Sequence, residues 1–261
     1  MKHTKIFTLL AGVFLLTTAA CNKKADFIFK GGMLPVTIKG YNGGSEDLEV
    51  KVDTFKFKYN LNSGNFNQSE AYTFPDNQHT VKLTISGKET GKIILEKELK
   101  KDEGPAVISF FYMNGQVMNM PQKQPKEDGK IKISYLFTPT LTHYSEPVDI
   151  VLGKYYFTPK VFEEITRIKN VKPNEFSETV TLSTFSTTGQ QYNGQNTAVL
   201  FKAYIYKAGT NEYYTQGTVY SWHPTSSSAP TPAASSSSST IYIFSESETG
   251  NSIRFNKNLE L

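Results

Sequence analysis

Outside the amino-terminal segment the chain carries three histidines, His79, His143 and His223, and no two stand within one helical turn of each other. A metal centre or a nucleophile–base pair built on them would need the fold to gather residues from distant stretches. The spacings that announce such chemistry are missing. There is no H-E-x-x-H, no G-x-S-x-G, no glycine loop for phosphate and no dinucleotide fingerprint. No D-x-[DN]-x-[DN]-G calcium loop occurs either, and Glu127-Asp128-Gly129 reads as a turn. Carboxylates recur instead: Glu46 and Glu146, and likewise Glu49 and Asp149, occupy matching places at two similar strands. Paired acids serve general acid–base catalysis when the fold aims them at one bond. Charges that keep strand edges from pairing explain the same recurrence without any reaction. The expectation is a protein that is not an enzyme and needs no metal or cofactor.

Aromatic crowding suggests a different kind of chemistry. Tyr204, Tyr206, Tyr213, Tyr214, Tyr220, Trp222 and Tyr242 fall in one region. Ala208-Gly209-Thr210-Asn211 reads as the turn joining strands over 198–206 and 213–222. If Tyr206 faces Tyr213, then Tyr204 shares their face, while Tyr214, Tyr220 and Trp222 point the other way. One of the two faces has to be core. Either the other displays Tyr204, Tyr206 and Tyr213 as a platform for a glycan or peptide, or the rings are ordinary strand residues with Trp222 at the centre of the core.

Strands must position these groups. Past residue 30 the pattern has period two, with Val, Ile, Phe, Tyr and Thr in short runs broken by Gly, Asn, Asp and Pro. The run from Glu46 to Phe57 lies over Glu146 to Phe157 at an offset of 100 residues, apolar on apolar. Further on, Thr80–Thr84 matches Thr179–Ser183, Lys92–Leu95 matches Val199–Lys202, and Val107–Phe111 matches Ile241–Phe244. Between the copies, Pro121 to Gly129 has no apolar side chain and reads as a stiff, solvated connector. The organisation expected is an all-β pair of tandem Ig-like sandwiches at 32–120 and 130–261, joined by a linker at 121–129. The second copy carries two additions. Thr158-Pro159 with Glu163-Glu164 reads as a helix start, and Val161, Phe162, Ile165, Ile168 and Val171 continue at helical spacing. The helix would lie over a sheet edge or dock a partner. The Ser/Pro-rich stretch 224–240 reads as a mobile loop, either a glycan acceptor or a tolerated insertion.

The strand Val50-Lys51-Val52-Asp53 and the turn-plus-strand Pro75-Asp76-Asn77 through Ile85 resemble the Ig-like or transthyretin-like repeats of unknown function in envelope lipoproteins of Bacteroidota. That resemblance implies an architecture and a location but no reaction.

The first residues are an address. Lys2, His3 and Lys5 precede the apolar run Ile6–Leu16 and the small residues Thr17 to Ala20, the layout of a secretory signal peptide at 1–20. Cys21 follows, the only cysteine, which excludes a disulfide scaffold or a thiolate metal cage. Thr18-Ala19-Ala20-Cys21 resembles the lipobox of bacterial lipoproteins. That resemblance implies an acylated Cys21, a tether to residue 31 and a membrane partner reached through lipid. Asn22, not an aspartate, implies the outer membrane, and Asn22-Lys23-Lys24-Ala25-Asp26 lacks the acidic cluster of surface-exported members. With 28 Lys and Arg against 24 Asp and Glu the net charge is only +4, so no nucleic-acid partner is expected. The expected role is a non-catalytic outer-membrane binding or scaffolding module for a protein or glycan ligand. The alternative is a carbohydrate-binding component of a surface glycan-uptake system.

Overall fold

The structure, a computed structural model, describes residues 32–75 and 77–261. The expected signal peptide, the acylated Cys21 and its tether lie outside the described residues. The chain divides into two compact units between Asn119 and Met120. Each is an all-β sandwich of the expected class.

The first unit runs through β1 (Met33–Asn42), β2 (Leu48–Val52), β3 (Phe55–Lys56), β4 (Gly64–Thr73), β5 (Thr80–Gly87), β6 (Ile93–Lys100), β7 (Ala106–Met113) and β8 (Gln116–Met118). One sheet has the order β4-β1-β7-β8 and the other β3-β2-β5-β6. Neighbours are antiparallel except β1 and β7, which run parallel. Alternation does the folding here. Val36 and Ile38, Val50 and Val52, Val81, Leu83 and Ile85, and Ile108 and Phe110 point inward and form one core between the sheets.

The second unit runs through β9 (Lys130–Thr138), β10 (Val148–Tyr156), β11 (Val161–Val171), β12 (Val180–Ser183), β13 (Gln190–Tyr192), β14 (Gln195–Thr197), β15 (Val199–Lys207), β16 (Ser238–Thr249) and β17 (Ser252–Glu260). Its sheets are β12-β9-β16-β17 and β11-β10-β15, with β13-β14 as a small separate hairpin. Here β9 and β16 form the parallel pair. The plan of the first unit is thus repeated: β9, β10, β11, β12, β15, β16 and β17 take the places of β1, β2, β3, β4, β5, β7 and β8. With Lys51 taken as the equivalent of Val151, the residues opposite them, Thr84 and Tyr204, occupy equivalent places. The immunoglobulin pattern groups its strands differently.

Two of the four expected internal matches fall on equivalent strands, β2 with β10 and β7 with β16. The other two are out of step. The partner of β5 is β15, with Leu83 standing where Ala203 does, whereas Val180–Ser183 belongs to β12 in the opposite sheet. Alternating Thr and Val mark a strand but not which strand.

The expected helix over 158–171 is a strand, β11, paired with β10 after a turn at Thr158–Lys160. Its helical spacing comes from two bulges. Between Leu152 and Gly153 the partner strand advances by one residue while β11 advances by two, and between Val148 and Ile150 it advances by two against three. The second stretches the inward step from Ile168 to Val171 to three residues, while Ile165 is the extra residue of the first and is exposed, so the apparent helix face is not one buried face. The β-branched content of the segment favours the strand.

Candidate functional site

The side chains of β10 and β15 face two ways. Val148, Ile150, Leu152, Phe201, Ala203 and Ile205 join the sandwich core. The opposite face carries a second apolar layer of Val151, Tyr155, Tyr204 and Tyr206, with Phe162, Leu200, Tyr213 and Trp222 packed against it. The expected trio of Tyr204, Tyr206 and Tyr213 is therefore brought together, on the face away from the core.

Within that layer the rings cover one another. Phe162 stacks on Tyr204 with centroids 4.1 Å apart. It reaches there across Gly153, where a Cβ would come within 2.6 Å of its ring and 2.3 Å of the Glu163 carbonyl. Tyr204 is 1% exposed and donates its hydroxyl to the Pro224 carbonyl at 2.5 Å. Tyr206 stacks on Tyr213 at 4.9 Å, and Tyr213 on Trp222 at 4.7 Å. The Arg167 guanidinium lies 5.6 Å from the Tyr206 ring centre and heads this column. Burial pushes the phenols of Tyr204 and Tyr206 far above their ordinary range. Tyr213 and Trp222 are half-buried, as are Phe162 and Leu200. The open display expected of Tyr204 and Tyr206 gives way to a packed layer whose rim is Tyr213 and Trp222.

Residues 213–222 do not form the expected strand. Tyr213 makes a single bridge to Tyr206, and the chain then turns through Thr215–Thr218. This places Tyr214 in the main core and lets Trp222 touch both Tyr213 and Tyr214, so Trp222 packs against both layers and not on the core side alone. Its Nε1 is buried without a hydrogen-bond partner. Strand periodicity cannot be projected past the point where the backbone leaves extended geometry.

The Ser/Pro-rich stretch is also ordered. Ser227, Ala229 and Ala234 are buried, and Ser227 accepts from His223 N and donates to Ile253 O. Residues 238–240 belong to β16. Small side chains lose little rotamer freedom on burial, so a segment without large apolar groups packs at low entropic cost.

Two of the recurring carboxylates, Glu46 and Asp149, serve the backbone. Asp149 is buried and accepts from Asn170 N, Gly209 N and Arg167 Nη1, at 3.0, 3.0 and 3.2 Å. Arg167 also binds Glu164 and Asn211. Glu49 pairs with Lys51 and Lys56, whose hydrogen bonds hold its carboxyl below the usual range. Glu46 accepts from the Glu89 and Thr90 amides and from the Thr90 hydroxyl; partial desolvation opposes its charge, but these bonds outweigh it and lower its pKa. Glu146 is exposed. The sequence did not single out Glu246, which is buried on β16 and accepts from Leu141 N, Thr142 N, the Thr142 hydroxyl and the Tyr214 hydroxyl. Its signal was faint: an acid inside an alternating strand, at an inward position. His79, His143 and His223 are exposed, and His223 Nδ1 contacts Thr225 and Ser226 in its own turn.

No family model matches this sequence, and no curated protein matches it. Among solved structures the chain is similar to a putative adhesin from Bacteroides ovatus, at 9% identity over 86% of this chain and 92% of that one, with a TM-score of 0.23. It is similar at 9% identity to the CBM26 module of Eubacterium rectale Amy13K crystallised with maltoheptaose, over 87% of this chain and 98% of that one, with a TM-score of 0.20. Likenesses this distant assign neither ligand nor activity to the present chain.

Proposed function

We propose that the protein is a non-catalytic, lipid-anchored outer-membrane protein whose second sandwich recognises a protein partner at the half-exposed end of the ring column. The observation that carries this reading is the contrast between equivalent strands. Where β15 presents Tyr204 and Tyr206 on its outer face, β5 presents Thr84 and Ser86. Solubility needs no more than the second arrangement. The chain covers Tyr204 by itself and leaves Tyr213 and Trp222 as a half-covered rim, amphipathic rings of the kind that anchor interfaces. Val219, 80% exposed, lies in the same loop. Of the recurring carboxylates, Glu46, Glu49 and Asp149 are engaged with their own turns and cations, which supports a binding role over acid–base work. The anchor reading rests on Thr18-Ala19-Ala20-Cys21. Holding the units at the membrane raises their effective concentration for any partner there.

The glycan reading stands second. It is favoured by the half-exposed indole of Trp222 and opposed by the stacking of Tyr213 between Tyr206 and Trp222, which occupies the ring faces that a sugar would use. One screen decides between them: peptide and glycan arrays probed with the unaltered protein and with Tyr213→Ala and Trp222→Ala. Peptide binding that drops about tenfold or more in both variants is expected. Binding of the same ligands by both variants at full strength overturns the site. Separately, Cys21→Ser is expected to move the protein from the membrane to the soluble fraction, and continued membrane retention contradicts acylation.

A further inference from the structure

A sandwich has two open sides, where the edge strands of its two sheets face each other without pairing. In the second unit one side is closed by the chain itself. Glu212 and Tyr214 bond to β15 at Lys207 and Ile205, and the Ser/Pro-rich segment continues the cover, with Ala229 N donating to Ala203 O and Ser227 Oγ to Ile253 O of β17. The other side, between β11 and β12, is a trough holding two cavities of about 530 and 380 Å³. Ile168, Val171 and Val180 line the first, and Ile165, Leu182 and Phe185 the second, where Ile165 is 39% exposed. The first unit treats the corresponding side differently. There residues 57–61 run on along β2 beyond β3, bury Phe57 and Leu61 in the core, and reach across to β4 through a bond from Lys58 N to Glu70.

One wall of the trough is a strand edge ready to pair. Val180 and Leu182 stand opposite Ile133 and Ile131, and Thr184 N donates to Gly129 O in the same ladder. Bonded pairs alternate along an antiparallel ladder, so Thr181 and Ser183 aim their N–H and C=O groups away from β9. No backbone bond from another described segment meets them. The facing strand, β11, offers less, because its two bulges interrupt its edge. Charge is uneven along the trough. At the first cavity Arg167 is engaged with Asp149 and Glu164, Lys172 pairs with Glu175 at 3.7 Å, and Lys169 shares the lining with Glu178. At the second, Lys154 stands with its Nζ 4.9 Å from the Phe185 ring centre, and no acidic residue lines the cavity among the described residues. Glu163, opposite Lys154 in the ladder, is engaged by the Tyr156 hydroxyl.

We propose that β12 accepts an extended segment of a partner protein, paired antiparallel and reading acid–x–apolar–x–apolar from its amino end. Residues opposite one another in such a pair share a face. The acid, opposite Thr184, lies at Lys154 and supplies the charge that the second cavity lacks. The first apolar residue, opposite Leu182, fills that cavity, and the other, opposite Val180, fills the first. The two residues between them exchange main-chain bonds with Ser183 and Thr181. Main-chain bonds then supply affinity, and the alternate side chains supply specificity. The site shares no residue with the Tyr213–Trp222 rim and does not rest on the reading given to that rim.

The test uses the full chain and a blocked, fluorophore-labelled peptide, acetyl-Glu-Thr-Val-Thr-Val-amide. At saturation the peptide is expected to slow exchange of the Thr181 and Ser183 amides about tenfold. Gln in place of its Glu is expected to weaken binding to the unaltered protein about tenfold, and to make no difference to Lys154→Gln. Pro in place of each Thr removes the two N–H groups that pair with β12 and is expected to abolish binding. Tyr213→Ala is expected to bind the peptide as the unaltered protein does. Failure of the Glu peptide to bind, equal binding of the Gln or the Pro peptide, or protection that appears away from β12 overturns the proposal. So does a doubled molar mass of the protein alone with Thr181 and Ser183 already protected, which places a second copy in the trough. If Lys154→Gln loses its near-ultraviolet circular dichroism and is unfolded, the Gln and Pro peptides decide on the unaltered protein.

Discussion

The two sandwiches share a strand order, yet they treat the outer face of the same sheet in opposite ways. In the first unit that face is a lattice of charge. Glu49 bridges Lys51 and Lys56, and Lys82 pairs with Glu96 at 2.5 Å. In the second unit Val151 stands where Lys51 does, Tyr204 where Thr84 does and Tyr206 where Ser86 does. Asp149, the counterpart of Glu49, is then sealed beneath the layer and must be satisfied by Arg167 and two backbone amides. The same backbone plan thus tolerates a wet face or a dry one. A dry face commits its buried polar groups to fixed partners, because water no longer serves them.

That contrast can be broken at several points, each read by native-state hydrogen exchange, which reports the two units separately in one chain. The largest difference is expected between the two glutamates that clamp threonine-bearing turns. Glu246→Ala removes the acceptor of four buried or half-buried donors and should cost the second unit about 3–5 kcal/mol. Glu46→Ala removes a similar clamp in water and should be barely detectable. Equal losses would mean that burial does not separate the two. Tyr204→Thr, which copies Thr84 into the second unit, should cost about 3 kcal/mol through the cavity left beneath Phe162 and Trp222. The reverse change, Thr84→Tyr, should leave the first unit within about 0.5 kcal/mol of its starting stability.

Alkali and acid should attack different units. Burial raises the pKa of Tyr135, Tyr204, Tyr206 and Tyr214, and burial together with Glu260 pushes Tyr242 up to about 12. Their unfolded value is about 10, so their contribution is complete below pH 10 and is lost as pH rises through the higher folded values. Amides of β15 and β16 should therefore lose protection in alkali before those of β5 and β7. Glu46 and Glu49 have folded pKa values below their ordinary 4.5. Their contribution is complete above that value and fades as pH falls below it, which weakens the first unit in acid. Simultaneous loss at either extreme would contradict the assignment. Glu49→Ala should cost only about 0–1 kcal/mol, against a loss of several-fold greater size for Asp149→Ala in the dry setting.

The class of fold was legible because period two is a local property. Val50 and Val52, or Ile131 and Ile133, declare a half-buried strand whatever the rest of the chain does. The internal duplication was legible where matching strands also carried landmarks, as at β2 and β10, and misread where Thr179–Ser183 offered only alternation. The helix expected at 158–171 failed because a bulge leaves no mark in sequence: the extra residue at each one is recognised only against the partner strand β10. The Ser/Pro-rich stretch was misjudged because its burial depends on a slot left empty by the absence of a sixth strand in the second unit. The tyrosines were grouped correctly on one face, since side-chain direction follows from alternation and one turn.

By itself, then, the sequence determined that this is a β protein in two similar halves, because alternation and internal likeness are written in neighbouring residues. Only the tertiary structure decided which face of β15 is core, that Tyr204 and Tyr206 are enclosed while Tyr213 and Trp222 reach the surface, and which segment covers the strand edge. Burial is a relation between chain segments distant in sequence, and no local pattern encodes what will be laid over a given side chain.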